Sequence, residues 1–162
     1  MDDSIVAFLR MERPDNRGRM VSDIWNYSNE DLESTHDYIQ WIFPLFERSA
    51  HSPSAPILTT NLAERIVADE VCNYSLNRSL SIMRSFYGKE SLWAKPNNHN
   101  LLRITRILKS SALLLGKVPS MKFYDFIMQR CNELGFKPSS TAVDFWNEAM
   151  SAELAQYQVK NC

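Results

Sequence analysis

Residues 98–116 read NHNLLRITRILKSSALLLG, and this stretch decides the fold class. Leu101, Ile104, Leu108, Ala112 and Leu115 recur at three- and four-residue spacing, which lines them along one face of an α-helix. Asn97 or Asn98 supplies the N-cap and Gly116 the stop. A strand needs apolar and polar residues in alternation, and nowhere do four or more residues alternate convincingly.

The same reading extends outward. Ser4 to Met11 places Ile5, Phe8 and Leu9 on one face and ends at Arg13-Pro14, with Asp15-Asn16-Arg17-Gly18 as a turn. A short helix is expected over Val21 to Tyr27, with Ile24 and Trp25 inward. Ser28-Asn29-Glu30-Asp31 forms an N-cap with an acidic first turn. The helix it starts carries Leu32, Thr35, His36, Ile39 and Ile42 and stops before Pro44. Residues 45–60 are the longest irregular stretch, and such a loop is often functional or wraps the surface. Thr60 or Asn61 caps a helix that breaks near Ala68-Asp69 and resumes to Tyr87, with Gly88 as its stop. Further on, one helix runs from Ser120 to Leu134 before Gly135. A last one follows Pro138 and carries Val143, Trp146, Ala149 and Met150. The expectation is an all-α fold: a single domain over 1–162, six to seven helices in an orthogonal or irregular bundle, no sheet, and a short tail from about 156 to 162.

Composition agrees. The 162 residues suit one ordinary domain and include only 4 Gly and 7 Pro, too few turn residues for a sandwich, barrel or doubly wound sheet. Basic and acidic residues number 18 and 19, a balance that argues against nucleic acid as a partner. No apolar run approaches the roughly 18 residues of a membrane span. Cys72, Cys131 and Cys162 have no zinc or CxxC spacing, so a reduced, cytoplasmic setting is expected. Cys72 and Cys131 sit on apolar stripes as core thiols, and Cys162 is expected to be exposed. His36, His51 and His99 lie in different segments, so no metal is expected. No GxSxG, HExxH or P-loop pattern is present, and no cofactor is expected.

Two clusters place polar residues where a helical pattern points inward. In HDYIQWIFPL at 36–45, His36 shares a stripe with Leu32 and Ile39, and Gln40 follows it by one turn. In NHNLLRITRILKS at 98–110, Arg103, Arg106 and Lys109 lie about a turn apart, with His99 and Asn100 at an exposed helix start. Backbone N–H groups there, together with guanidinium groups, suit a carboxylate or phosphate. Three readings follow. In a binding module, His36, Asp37, Gln40 and Trp41 form one wall and His99, Asn100, Arg103 and Arg106 the other. The ligand is then small and anionic, or a peptide whose amine Asp37 takes. In a structural or protein-interaction domain, both clusters only tie helices together, and the partner is a protein. In an enzyme, ranked last, His36 or His99 is the general acid–base and Arg103 steadies negative charge.

These two motifs, with FLR at 8–10, SPSAPILT at 52–59 and SFYG at 85–88 in the same order, resemble the conserved domain of the opioid growth factor receptor family. The resemblance runs from about residue 4 to 150. It implies an all-helical domain, and its animal members are described as nucleus-associated receptors for the pentapeptide Met-enkephalin. The repeat tail and polybasic nuclear signal of those members are not seen here, so opioid-peptide binding is implied by the resemblance alone.

Overall fold

Where this chain starts and stops its helices follows from which side chains meet the free backbone groups at their ends. The structure, a computed structural model, describes residues 3–158. Among the described residues all regular elements are helices and no strand occurs, so the chain is all-α as expected. In order they are α1 Ser4–Leu9, α2 Val21–Trp25, α3 Asn29–Ser34, α4 Ile39–Ile42, α5 Thr60–Ala68, α6 Glu70–Lys89, α7 His99–Leu114, α8 Lys117–Glu133, α9 Ser140–Met150 and α10 Ala155–Gln158. These ten exceed the expected six to seven because the segments 29–43 and 60–89 each form two helices and α10 is added near the end. The chain divides into two compact units, Met1–Ser79 and Leu80–Cys162, and the division falls inside α6. The expected tail begins with the single turn of α10; residues 159–162, Cys162 among them, lie outside the described residues.

In the first unit α1 packs on α4 and α5, and Ile5, Phe8 and Leu9 are fully buried as their spacing predicts. A helix of six residues leaves its last four carbonyls outside its own ladder. Side chains from α6 meet two of these: Ser75 Oγ donates to the Leu9 carbonyl at 2.5 Å, and the Cys72 thiol approaches the Val6 carbonyl at 3.9 Å. The expected break at Ala68-Asp69 is present. Asp69 is extended there, and its carboxylate accepts the N–H groups of Val71 and Cys72 at 2.9 Å each while meeting the Arg10 guanidinium. The Cys72 N–H, with Arg10, holds the Asp69 carboxyl below its usual range against the opposing effect of desolvation. Burial, reinforced by the Asp69 charge, pushes the Cys72 thiol up to about 12.

The helix expected to run from residue 29 to 43 is broken. α3 ends at Ser34, Thr35 is extended at φ −91° and ψ 129°, and α4 starts only at Ile39. Ser, Thr and Asp compete for backbone groups and are poor helix formers in a row. Here Ser34 Oγ donates to the Glu30 carbonyl at 2.8 Å, and the buried Tyr38 hydroxyl donates to the Leu32 carbonyl at 2.7 Å. The break removes His36 from any helical stripe. It is exposed, which overturns the inward orientation expected beside Leu32 and Ile39 and its one-turn relation to Gln40.

In the second unit α7 packs on α8 and α9, with Ile104, Ile107 and Leu108 fully buried. Donors from both neighbours reach its carbonyls: Ser120 Oγ to Leu108 at 2.8 Å and Trp146 Nε1 to Leu101 at 3.3 Å. α8 starts at Lys117, three residues ahead of the expected Ser120, because Pro119 in its first turn needs no N–H partner. Gly116 and Gly135 take positive φ at the ends of α7 and α8, as expected. Gly88 does not stop its helix. α6 continues to Lys89, and a Cβ on Gly88 would lie 3.2 Å from the Phe126 ring, over which the Arg84 guanidinium sits at 4.7 Å. Side chains close α6 instead. The Trp93 indole donates to the Glu90 and Tyr87 carbonyls at 2.9 and 3.2 Å, and Arg130 Nε donates to Tyr87 at 3.2 Å. Cys131 is a free, buried thiol like Cys72, and burial pushes it up to about 11.

Removing one of these donors strands a buried carbonyl. Ser75→Ala is expected to lower the unfolding free energy by about 1–3 kcal/mol in urea titration, against at most about 0.5 kcal/mol for the exposed Ser22→Ala.

Candidate functional site

The four residues of α4, Ile39 to Ile42, are all buried, so the helix carries Gln40 and Trp41 into the interior of the first unit at 4% exposure each. The Trp41 ring packs edge-on against Phe8, with centroids 5.2 Å apart. One end of the Gln40 amide donates to Ser49 Oγ at 3.3 Å, and the same oxygen accepts the N–H groups of His51 and Ser52 at 3.2 and 3.3 Å. The other end of the amide, Gln40 Oε1, is buried with no hydrogen-bond partner, and so is the indole Nε1 of Trp41. Turning the amide over makes Ser49 Oγ the donor to Gln40 Oε1 and leaves the Nε2 end as the buried group without a protein partner. Each buried polar group left in this way costs about 1–3 kcal/mol. Elsewhere this chain brings side chains to its buried carbonyls. Both atoms belong to neighbouring residues of one motif and find no partner in the protein.

Asp37 does not stand ready for an amine. It accepts from Arg19 Nη1 at 2.8 Å and from Arg17 Nε at 3.1 Å, while Arg19 Nε donates to the buried Asp15 at 2.7 Å. Asp15 in turn accepts the N–H groups of Arg17 and Arg19 at 2.8 and 3.0 Å, which shapes the 15–19 turn. Partial burial works to raise the Asp37 carboxyl, but the hydrogen bond and charge of Arg19, with Arg17, outweigh it and hold the group below its ordinary value. The turn was legible as a turn; its role in fixing Asp37 was not, because the partners are about 20 residues apart in sequence. Ser49 was likewise missed, and only its place in a serine-rich loop hinted at it.

The second cluster lies in the second unit. His99 is exposed at the start of α7, where the Asn98 side chain accepts the Asn100 N–H at 2.9 Å. Asn100 is completely buried rather than exposed as expected. Its Oδ1 accepts from Tyr87 at 3.2 Å, and its Nδ2 donates to Asn98 at 2.9 Å and lies 3.4 Å from His99 Nε2. Arg103 is buried at 6% exposure, whereas Arg106 and Lys109 are half-buried, so the three do not form one solvated basic face. Of the eight expected site residues, His36, Asp37, Gln40 and Trp41 fall in the first unit and His99, Asn100, Arg103 and Arg106 in the second. An open groove of about 380 Å³ at the end of α8, lined by Met128, Cys131, Phe136 and Lys137 among others, contains none of them. Among the described residues no three His, Cys, Asp or Glu side chains gather to hold a metal, and no helix is long and apolar enough to cross a membrane.

The family model for the opioid growth factor receptor (OGFr) conserved region matches residues 13–95, just over half of the chain. The chain belongs to the opioid growth factor receptor family. The opioid growth factor receptor of Rattus norvegicus is 32% identical over 114 residues, covering 57% of this chain and 20% of that protein. The receptor of Homo sapiens is 32% identical over 114 residues, covering 57% and 17%. Opioid growth factor receptor-like protein 1 of Mus musculus is 33% identical over 123 residues, covering 64% and 26%. The chain thus spans about a sixth to a quarter of the length of these curated relatives. No solved structure matches. The family match takes in the 36–45 motif, the loop after it and SFYG at 85–88, and stops short of the second motif at 98–110. The Arg17–Asp37–Arg19–Asp15 network and both orphaned groups therefore lie inside the family's conserved region.

The sign of the Asp37 shift sets an acid dependence. A carboxyl held below its unfolded value of about 3.9 contributes fully above that pH and loses its contribution as pH falls through the lower folded value. Wild-type protein is expected to lose stability on acidification through this window, and Asp37→Asn to be less stable near neutrality but flatter across it, read by thermal unfolding between about pH 6 and 3.

Proposed function

We propose that the chain is a non-enzymatic binding module whose site is built on the 36–45 segment and takes a small anionic or peptide ligand. The observation that carries this reading is the pair of buried, unpartnered groups at Gln40 and Trp41. A ligand reaching them recovers hydrogen bonds that the protein alone forgoes. His36 and Asp37 precede them in the same segment, with His36 exposed and Asp37 half-buried, and we assign them to the rim. The ion pairs of Asp37 suit a positioning role there better than capture of an amine. In the second unit, His99, Asn100, Arg103 and Arg106 are proposed by themselves as a ligand-contacting group, His99 and Arg106 through accessible surface. The relatives' name makes an opioid growth factor peptide the first to try. The free thiols of Cys72 and Cys131 suit a reduced compartment, cytoplasmic or nuclear.

The burial of Asn100 and Arg103 favours a second reading for the 98–106 segment, in which it secures helix packing and the module binds a protein elsewhere. The two readings separate experimentally. Thermal-shift and calorimetric titration with short peptides, Met-enkephalin included, and with organic anions is expected to yield a ligand. Its affinity should fall at least about tenfold in Gln40→Ala and in Trp41→Phe, which keeps the ring and removes the indole N–H. A panel without any binder, or a binder indifferent to both changes, overturns the site. Arg103→Ala lowering the melting temperature while leaving that affinity intact assigns the second segment to packing.

A further inference from the structure

We propose that residues 45–58 are a hinged lid over Gln40, latched by Ser49. The inference rests on the reading of Gln40 as a ligand-binding group, but on separate observations. The segment is an Ω-loop whose base is tied by the Leu58 N–H to the Leu45 carbonyl at 2.8 Å. It holds its own shape. The Ala55 N–H meets the Ser52 carbonyl at 3.1 Å around Pro53, and Arg48 donates to the Pro53 carbonyl at 2.6 Å. A loop braced in this way moves as a body about its base.

Burial is distributed to suit such a motion. The large buried side chains, Leu45 and Leu58, stand at the base with the half-buried Phe46 next to Leu45, while the buried ones nearer the tip are the small Ser52 and Ala55. Lifting the tip therefore exposes little apolar surface from the loop's own inward side chains. Side-chain hydrogen bonds from the tip to the rest of the unit include Gln40 to Ser49 at 3.3 Å and the exposed contact from Asn16 to Ser54 at 3.2 Å.

The Ser49 latch is weak. Ser49 Oγ is the common partner of the Gln40 amide and of the His51 and Ser52 N–H groups, all at 3.2–3.3 Å, the long edge of hydrogen bonding. Closed, it also keeps the far end of the Gln40 amide without a partner. Opening releases the amide and gives its orphaned end access to water or to a ligand. The closed state is thus only modestly favoured, and a ligand that hydrogen-bonds both ends of the amide shifts the balance toward the open one.

Hydrogen exchange of the full chain, read by mass spectrometry without any ligand, tests the lid independently of the binding site. In Ser49→Ala, peptides covering 53–58, which lack the two N–H groups that Ser49 itself accepts, are expected to exchange at least about tenfold faster, with α1, α4 and α7 unchanged and the melting temperature close to wild type. In wild-type protein, exchange of the same peptides is expected to depend little on urea, as local opening does. Unchanged loop exchange in Ser49→Ala, α1 and α4 accelerating along with the loop, or a wild-type urea slope equal to that of global unfolding overturns the proposal. A failed ligand panel with a positive exchange result removes the binding site and leaves the lid.

Discussion

A helix of six residues has more carbonyls outside its own ladder than within it, and this chain contains several helices of that length or less. It also has only four glycines with which to end them. What holds the architecture together is a set of side-chain donors aimed at helix carbonyls. Ser75 serves the Leu9 carbonyl, Tyr38 that of Leu32, and Trp93 with Arg130 the end of α6. Ser120 and Trp146 join α7 to its neighbours by the same means. Each bond contributes about 1 kcal/mol net, but each also prevents the larger penalty of a buried acceptor left alone. The apolar pattern makes the helices, and these donors decide their lengths and directions.

That division explains what was legible beforehand. α7 could be read because periodicity, cap and stop are local and agree with one another. The break before α6 could be read as well, since Asp69 caps from within its own neighbourhood. The split between α3 and α4 could not. His36 fits a helical stripe perfectly well on paper, but the Ser34 bond to Glu30, the donation from Tyr38 and the pull of Arg17 and Arg19 on Asp37 accompany an extended Thr35. The stop assigned to Gly88 failed for a related reason, because glycine after an apolar run signals a C-cap only where φ turns positive.

In the 36–45 segment the sequence reading holds for the burial of Gln40 and Trp41 and fails for His36, which is exposed. Gln40 and Trp41 belong to a motif that stood out as polar residues in an inward pattern, and both are buried. The fixing of Asp37 depends on a turn about 20 residues earlier, and no spacing rule reaches that far. Asn100 and Arg103 looked like a solvated helix start, since burial of a long helix on more than one face cannot be told from one stripe alone. The orphaned state of two atoms is the least legible feature of all. It consists in the lack of a neighbour, which only coordinates reveal.

Gly88 belongs to the SFYG motif, within the region the family model matches, whereas Phe126 lies beyond it. The glycine is there for space rather than for backbone freedom, since a Cβ would come within 3.2 Å of that ring. Alanine at 88 then requires the half-buried Phe126 ring to give way by a few tenths of an ångström, and a smaller residue at 126 removes that requirement. The last residue of SFYG is thus constrained by a side chain outside the motif.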